Sequence, residues 1–190
     1  TTQLNYDRAQ NQANYFSGAT IESKNDSNIL ISRKGYYYAN TATFAFRDSV
    51  VLTNPNFIIR SDTLLYFTNT EIVNFLGPTT ITGDSNLIYC EIGWYKTIED
   101  QSKYFDNAYI ISDKRKLEGD TLFYDRALGF GQAKGDIIMT DTIQNILLNG
   151  QYGEIYEHLD SGIVTINPLL TQIFENDSLF MSADTFKFYK

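Results

Sequence analysis

The chain has 190 residues, a formal net charge of −8 and a sequence pI near 4.6. This acidic balance argues against a nucleic-acid partner, because phosphate binding needs a basic face, and it gives little support to a polybasic membrane anchor. Apolar residues make up 43% of the chain and charged residues 20%, which is typical of a globular protein and excludes a disordered one.

The first segment, residues 6–16, is the one place where a helix is plausible, and it has no clear capping residue. We expect residues 1–17 to be irregular or to form an edge segment. After residue 17 the apolar residues alternate with a period of two, which predicts strands bounded by Gly, Asn, Asp or Ser. Residues 57–67 predict a pair of strands. Shorter strand cores are Ile29-Leu30-Ile31, Ile110-Ile111, Ile137-Ile138-Met139 and Ile163-Val164-Thr165-Ile166.

An internal repeat is visible in the aspartates, of which nine of 15 are followed directly by Ser or Thr. Their spacings lie mostly near 20 residues, which predicts about 20 residues per unit of two strands. Stacked units of this kind bury an interior that no single unit buries alone. No linker divides the chain, so we expect residues 1–190 to form one domain. The nine are Asp26, Asp48, Asp62, Asp84, Asp120, Asp141, Asp160, Asp177 and Asp184.

The fuller copies place a small residue before the Asp-Thr pair and alternating apolar residues after it, as in Ser61-Asp62-Thr63-Leu64 and Gly119-Asp120-Thr121-Leu122. An Asp side chain accepts hydrogen bonds from backbone N–H groups two residues further on, so we interpret each Asp as fixing a turn from which Thr starts a strand. Calcium binding is the alternative, but calcium-binding β-rolls use denser Gly/Asp nonapeptides. The spacing therefore favours turn capping, and we predict no metal and no cofactor.

Catalytic motifs are absent from the sequence. His158 is the only histidine, which excludes a metal site built from several histidines. Neither a Gly-x-Ser-x-Gly elbow nor a Gly-x-x-x-x-Gly-Lys loop is present. Carboxylate pairs such as Glu99-Asp100 could serve a glycosidase, although acidic turn residues are commoner. Cys90, the single cysteine, cannot form an internal disulfide. We predict that the chain is not an enzyme.

The positions two and four residues after the repeated Asp are the most uniformly large and apolar. A period of two puts them on one face of a sheet, which we assign to the interior. A fully packed core without space for a ligand and an open groove both fit these residues. The interior positions are Leu64, Tyr66, Leu122, Tyr124, Leu179, Met181, Phe186 and Phe188.

The repeat units resemble those of the OstA/LptA family of periplasmic lipopolysaccharide-transport proteins. In that family a small residue and Asp precede an x-apolar-x-Tyr pattern, and a Gly-x-Val/Ile-x-apolar strand follows. The second half appears here as Phe75-Leu76-Gly77-Pro78-Thr79-Thr80-Ile81 and in residues 131–139. Residues 88–95 and 122–131 resemble the larger OstA-like variant of the family. The resemblance extends over roughly residues 18–189.

The resemblance implies an open, twisted, antiparallel β-jelly roll in the periplasm of a Gram-negative bacterium. Its interior would shield the acyl chains of lipopolysaccharide or another acylated glycolipid, so the eight interior residues would line a lipid groove. Units would join other β-jelly-roll proteins of a transport bridge between the inner and outer membranes. Since lipopolysaccharide head groups are anionic, a chain of net charge −8 needs divalent cations or a local basic patch to bind them. The sequence shows no export signal and starts at Thr1, as expected of a processed or trimmed chain.

Two other functions also fit the sequence. A structural or adhesive envelope protein with a closed core is the second hypothesis, and Tyr36-Tyr37-Tyr38 suits carbohydrate stacking in such a protein. An enzyme on a parallel β-helix is a third.

Residues 183–190 predict a last strand with nothing after it to pair, and residues 19–21 predict the opposite edge. Unpaired edges of this kind predict head-to-tail self-association.

Overall fold

A computed structural model describes residues 1, 3–23, 27–84, 86–112 and 114–189, so Asp26 and Lys190 lie outside the described residues. Within them, seventeen strands join in one antiparallel sheet, together with one short 3-10 helix, Glu157–Leu159. The prediction of an all-β, open, antiparallel, repetitive β-jelly roll with little helix is confirmed.

The strands follow one another along the chain with short connections. They are β1 (Asn5–Asp7), β2 (Gln12–Tyr15), β3 (Ala19–Glu22), β4 (Ile29–Ser32), β5 (Lys34–Tyr38), β6 (Thr43–Asn54), β7 (Phe57–Phe67), β8 (Ile72–Gly83), β9 (Asn86–Lys96), β10 (Gln101–Ser112), β11 (Arg115–Asp125), β12 (Phe130–Asp141), β13 (Ile146–Tyr156), β14 (Ser161–Thr165), β15 (Leu169–Ile173), β16 (Ser178–Ser182) and β17 (Thr185–Tyr189).

The possible helix over residues 6–16 is not formed, because β1 and β2 make a hairpin there and β2 also pairs with β5. Asp7 holds the turn: its Oδ1 accepts hydrogen bonds from the backbone N–H groups of Ala9 (2.8 Å) and Gln10 (3.1 Å). Pairing with β5 satisfies the backbone groups of the segment, so tertiary context overrides a weak local helix signal.

The repeating unit is a hairpin of 29 residues and not of about 20. β6, β8, β10 and β12 begin at residues 43, 72, 101 and 130. The first three units each contain a 12-residue strand, a two-residue connection, an 11-residue strand and a four-residue turn. The earlier value was wrong because it assumed strands of average length, about 5–6 residues. For the same reason residues 57–67 form one long strand, β7, and not a pair.

The regular pairing of each long strand is interrupted near its centre. The strand either contains a β-bulge there or lies opposite a bulge in the neighbouring strand. The two-residue bulges of β6, β8, β10 and β12 are again 29 residues apart, at Asp48-Ser49, Gly77-Pro78, Asp106-Asn107 and Gly135-Asp136. Positive φ angles at the first residue of each bulge, between 55° and 89°, accompany the interruption.

The bulges divide the long strands into two arms. The first arm, next to the four-residue turns, consists of residues 43–47, 63–67, 72–76, 92–96, 101–105, 121–125, 130–134 and 152–156. The second arm, next to the other connections, consists of residues 50–54, 57–61, 79–83, 86–90, 108–112, 115–119, 137–141 and 146–150.

The Asp-Ser/Thr pairs fall at different places in this unit. Asp48, Asp62 and Asp120 lie at the bulges in the middle of strands, so the interpretation of these residues as turn caps is wrong. Asp141 is a true turn cap, because its Oδ1 accepts hydrogen bonds from the backbone N–H groups of Ile143 and Gln144, both at 2.9 Å. The spacing near 20 arose from counting bulge and turn aspartates together.

Shorter strands extend each arm separately at both ends of the sheet. At the N-terminal end, β5, β2 and β1 extend the first arm from β6, while β4 and β3 extend the second. At the C-terminal end, β14 and β17 extend the first arm from β13, while β15 and β16 extend the second. In the described part of the chain, β1, β3, β16 and β17 therefore each pair on one side only.

Candidate functional site

The interior between the arms is apolar and most deeply buried beside the bulges. Both arms contribute to one cluster of side chains, so they face each other across it. The members that are at most 5% exposed are Phe46, Leu64, Phe75, Tyr104, Leu122 and Ala133 of the first arm and Val50, Ile59, Cys90, Ala108 and Ile137 of the second.

Towards the tips of the arms the inward-facing residues stay apolar but become half-buried. On the first arm these are Phe44, Tyr66, Val73, Tyr95 and Tyr124. On the second arm, strand pairing forms a long apolar row across ten strands, and most of its members are half-buried, although Ile59 and Leu148 are buried and Met181 is exposed. The row consists of Leu52, Ile59, Ile81, Ile88, Ile110, Leu117, Met139, Leu148, Leu170 and Met181. A burial that decreases from the bulges to the tips is the geometry of a groove, which we call the interior groove.

Strand register places all eight residues assigned to the interior on this inward-facing side. Their environments differ. Leu64 and Leu122, each 2% exposed, are packed beside the bulges. Tyr66 and Tyr124 lie nearer the tip of the first arm, and Phe186 and Phe188 lie on β17 and are half-buried. Leu179 and Met181, on β16, are 50% and 40% exposed. A role of these residues in lipid binding stays a prediction.

Two tyrosines of the groove, Tyr95 and Tyr124, are held in their neutral form. Burial, together with the hydrogen bond from its hydroxyl to Asp100 Oδ1 (2.8 Å), raises the pKa of Tyr95 to about 12. Burial and the hydrogen bond to Glu157 Oε2 (2.8 Å) raise the pKa of Tyr124 to about 12 in the same way. The phenol groups are therefore satisfied by partners at the turns, and they add no charge to the groove at neutral pH.

Most residues of the long apolar row were missed by the sequence analysis, which selected interior residues by their distance from the repeated aspartates. The signal that finds it is the 29-residue spacing: Leu52, Ile81, Ile110 and Met139 occupy equivalent positions, as do Tyr66, Tyr95 and Tyr124. The row escaped notice because it lies on the other arm from most of the motifs that follow Asp.

The structure gives little support to a metal site or to chemistry at His158 or Cys90. No group of three or more His, Cys, Asp or Glu residues is placed to hold a metal ion within the described ranges. His158 lies exposed in the 3-10 helix. Cys90 is fully buried, and burial raises the pKa of its thiol to about 12. In the same described part of the chain, no helix is long and apolar enough to cross a membrane.

A bulged antiparallel sheet of stacked hairpins, folded around an apolar groove and unpaired at its end strands, defines an open, repetitive β-jelly-roll protein. Residues 1–62 match the family model described as OstA-like protein. The resemblance to OstA-like proteins is thereby confirmed for about the first third of the chain.

Among solved structures, the chain is similar to LptH from Pseudomonas aeruginosa, the LptA-homologous periplasmic component of the conserved lipopolysaccharide transport device. The sequence identity is 17% and the TM-score 0.49, and the similar region covers 55% of this chain and 80% of LptH. No curated protein sequence matches the chain.

Proposed function

We propose that this chain is a periplasmic lipid-binding module that holds the acyl chains of lipopolysaccharide, or of another acylated glycolipid, in the interior groove. The observation that carries the proposal is the long apolar row, which continues through ten strands. Each methylene group that leaves water for an apolar lining contributes about 0.8 kcal/mol, so a long groove suits a ligand with several acyl chains. The OstA-like match of residues 1–62 supports the same class of function.

We propose further that the chain, acting as one domain, helps to bridge the inner and outer membranes by joining similar β-jelly-roll proteins or a second copy of itself. β1 and β17 both end the first arm, and β3 and β16 both end the second. A head-to-tail contact would thus extend both arms and the groove together. Exposed apolar side chains on the β16 edge, including Phe180 at 65%, support a contact there.

Displacement of a fluorescent acyl-chain probe tests the lipid-binding proposal. We expect the probe to bind saturably and lipopolysaccharide to displace it. Ile110 is half-buried on the long apolar row, while its neighbour Ile111 faces outward and is 36% exposed. Ile110→Lys should therefore weaken probe binding strongly, because it places an ammonium group in the apolar lining. Ile111→Lys, with the same chemical change on the other face, should leave binding intact.

The structural alternative gives a different result. A closed core that only supports an envelope assembly takes up no probe, and lipopolysaccharide then has nothing to displace. Circular dichroism and urea unfolding of both lysine variants show whether a loss of binding reflects the groove or a loss of folding. Equal binding by the Ile110→Lys and Ile111→Lys variants would count against the interior groove as the binding site.

A further inference from the structure

The hairpin between β10 and β11 carries three consecutive cations, Lys114, Arg115 and Lys116. It lies at the tip of the second arm. Leu117, on the long apolar row, is opposite Ile110, and Arg115 is two residues away on the same strand. Because side chains alternate along a strand, Arg115 shares the inward face of Leu117, whereas Lys116 faces outward. The apolar wall of the interior groove therefore ends in a guanidinium group.

Within the described residues, the side chain of Arg115 forms one ion pair. Its Nε lies 2.7 Å from Asp141 Oδ2, and its side chain is 55% exposed while that of Asp141 is 6% exposed. Asp141 is itself fixed by the backbone N–H groups of Ile143 and Gln144. Among the described residues, neither Nη of Arg115 has a hydrogen bond or an ion pair. The guanidinium is thus oriented and can still donate to a second acceptor.

The tip of the first arm has the opposite character. Its turns carry two arginines, Arg8 and Arg126, among several carboxylates: Glu71, Glu99, Asp100, Glu157 and Asp160. An anionic group of a ligand in the groove would be repelled there and at other second-arm turns, which carry Asp84, Glu175 and Asp177. The hairpin between β10 and β11 also contains Asp113, but its run of three cations makes it the place that accepts such a group.

We propose that Lys114 and Arg115 bind a phosphate group on the ligand whose acyl chains occupy the interior groove. This inference rests on the proposed function and adds the recognition of the head group to it. It also explains how a chain of net charge −8 tolerates an anionic lipid without a bridging cation. Lys116 takes no part, because its Nζ is 2.7 Å from Glu118 Oε1 and lies over the ring of Tyr109 on the outer face.

The experiment compares displacement of the acyl probe by lipopolysaccharide before and after enzymatic removal of its phosphates, in EDTA. We expect the wild-type chain to bind the phosphorylated form about tenfold more tightly, as for a charge-assisted hydrogen-bond pair. Arg115→Gln should abolish most of that preference, and Lys114→Gln should reduce it. Both should bind the dephosphorylated form as the wild type does. Lys116→Gln, which removes the same charge from the opposite face, should keep the full preference.

Because Arg115→Gln leaves Asp141 without its cation, Arg115→Gln combined with Asp141→Asn provides a second background without an unpaired buried carboxylate and should show the same loss of preference. Equal affinity for the two lipid forms, or a preference that EDTA removes, would overturn the phosphate site while leaving the lipid groove in place. Competition by inorganic phosphate at equal strength would show a site for free anions and would overturn the assignment to a lipid head group. Failure of the probe to bind at all would remove the proposed function, and this inference with it.

Discussion

The carboxylate of Asp120 lies directly over Gly135 on the neighbouring strand, so close that a Cβ at residue 135 would be 2.1 Å from Asp120 Oδ2. Asp62 covers Gly77 in a similar way in an earlier unit, with its Cβ 3.0 Å from the position of an added Cβ. Both glycines have positive φ angles, 72° and 89°. An aspartate opposite a bulge glycine is thus a packing device of this fold, in which the missing side chain of one strand makes room for the carboxylate of the next.

Gly135→Ala should destabilise the protein by about 3 kcal/mol, since it adds a steric clash to the cost of a left-handed conformation, which is about 1–2 kcal/mol. Urea unfolding measures the change. Gly18→Ala is the matched control: Gly18 also has a positive φ, 80°, but the nearest atom to an added Cβ is 3.9 Å away. It should cost only the conformational part. Adding Asp120→Ala to Gly135→Ala should recover stability, and a double variant no better than the single one would contradict the clash.

The inward face is tested by adjacent residues of β11. Leu122 is 2% exposed in the core cluster, and Thr121 is half-buried on the outer face. Leu122→Asp should lower the free energy of unfolding by roughly 4 kcal/mol, because it buries an unpaired carboxylate, whereas Thr121→Asp should cost about 1 kcal/mol or less. Thermal or urea unfolding measures the free energy of unfolding of the two variants. Similar losses of stability in both would show that the inward and outward faces are assigned incorrectly.

The β17 edge is tested by proline at two successive positions. Backbone N–H groups of neighbouring residues point to opposite edges of a strand, so one of Phe186→Pro and Lys187→Pro removes a donor towards β14 and the other a donor at the free edge. We expect one variant to lose concentration-dependent association while keeping the free energy of unfolding, and the other to lose stability. Analytical ultracentrifugation and urea unfolding measure the two properties. A wild-type chain that stays monomeric at millimolar concentration would refute association through this edge.

Asp141 should make the free energy of unfolding depend on pH in the acid range. Hydrogen bonds from the backbone N–H of Gln144 and from Arg115 hold the pKa of this carboxyl below its ordinary value. The folded state therefore binds the proton less tightly than the unfolded state, whose pKa is about 3.9. The stabilisation that the ionised Asp141 carboxylate gives the folded state is therefore fully present above the unfolded-state pKa. It is lost as the pH falls through the lower pKa of the folded state. Asp141→Asn should show a lower melting temperature at neutral pH and a shallower acid decline.

Calorimetry from about pH 7 to about pH 2 measures this dependence. Arg115→Gln should move the loss to higher pH, since one of the groups that lower the pKa is removed. If Asp141→Asn and the wild type decline in parallel, the carboxyl does not contribute to acid stability.

Cys90 should be inert in the folded protein. Its side chain is fully buried in the core cluster, and burial raises the pKa of the thiol to about 12. A thiol reagent at pH 8 should therefore modify it only as fast as the chain opens, and at once in concentrated urea. Ellman's reagent gives both rates. Rapid modification under native conditions would mean that the core beside the bulges opens readily.

The alternation of apolar residues was enough to predict a repetitive all-β fold, because a period of two is a local property of an extended chain. It also placed residues such as Leu122 and Tyr124 on the inward face, where the structure has them. The antiparallel arrangement was an implication of the family resemblance. The resemblance to OstA-like proteins was carried by short motifs that lie almost entirely after residue 60, whereas the family model matches residues 1–62.

The bulges, and with them the unit of 29 residues, were decided by the tertiary structure. Ser61 and Leu64 both face the interior although they are three residues apart, because the strand is interrupted at Asp62. Simple alternation would have put them on opposite faces. The aspartates at bulges and the aspartates at turns are alike in being followed by Ser or Thr, so this pair of residues does not distinguish them and their partners across the sheet do.

The groove, too, depends on position in the sheet and not on residue type. Leu122 and Leu179 both follow an Asp by two residues, yet Leu122 is 2% exposed and Leu179 is 50% exposed. Leu122 has paired strands on both sides and lies beside a bulge, whereas Leu179 lies on an edge strand at the end of the second arm. Within one arm, the alternation in the sequence determined which side chains point inward. How deeply each is buried was settled by how many strands surround it, which is a property of the assembled sheet.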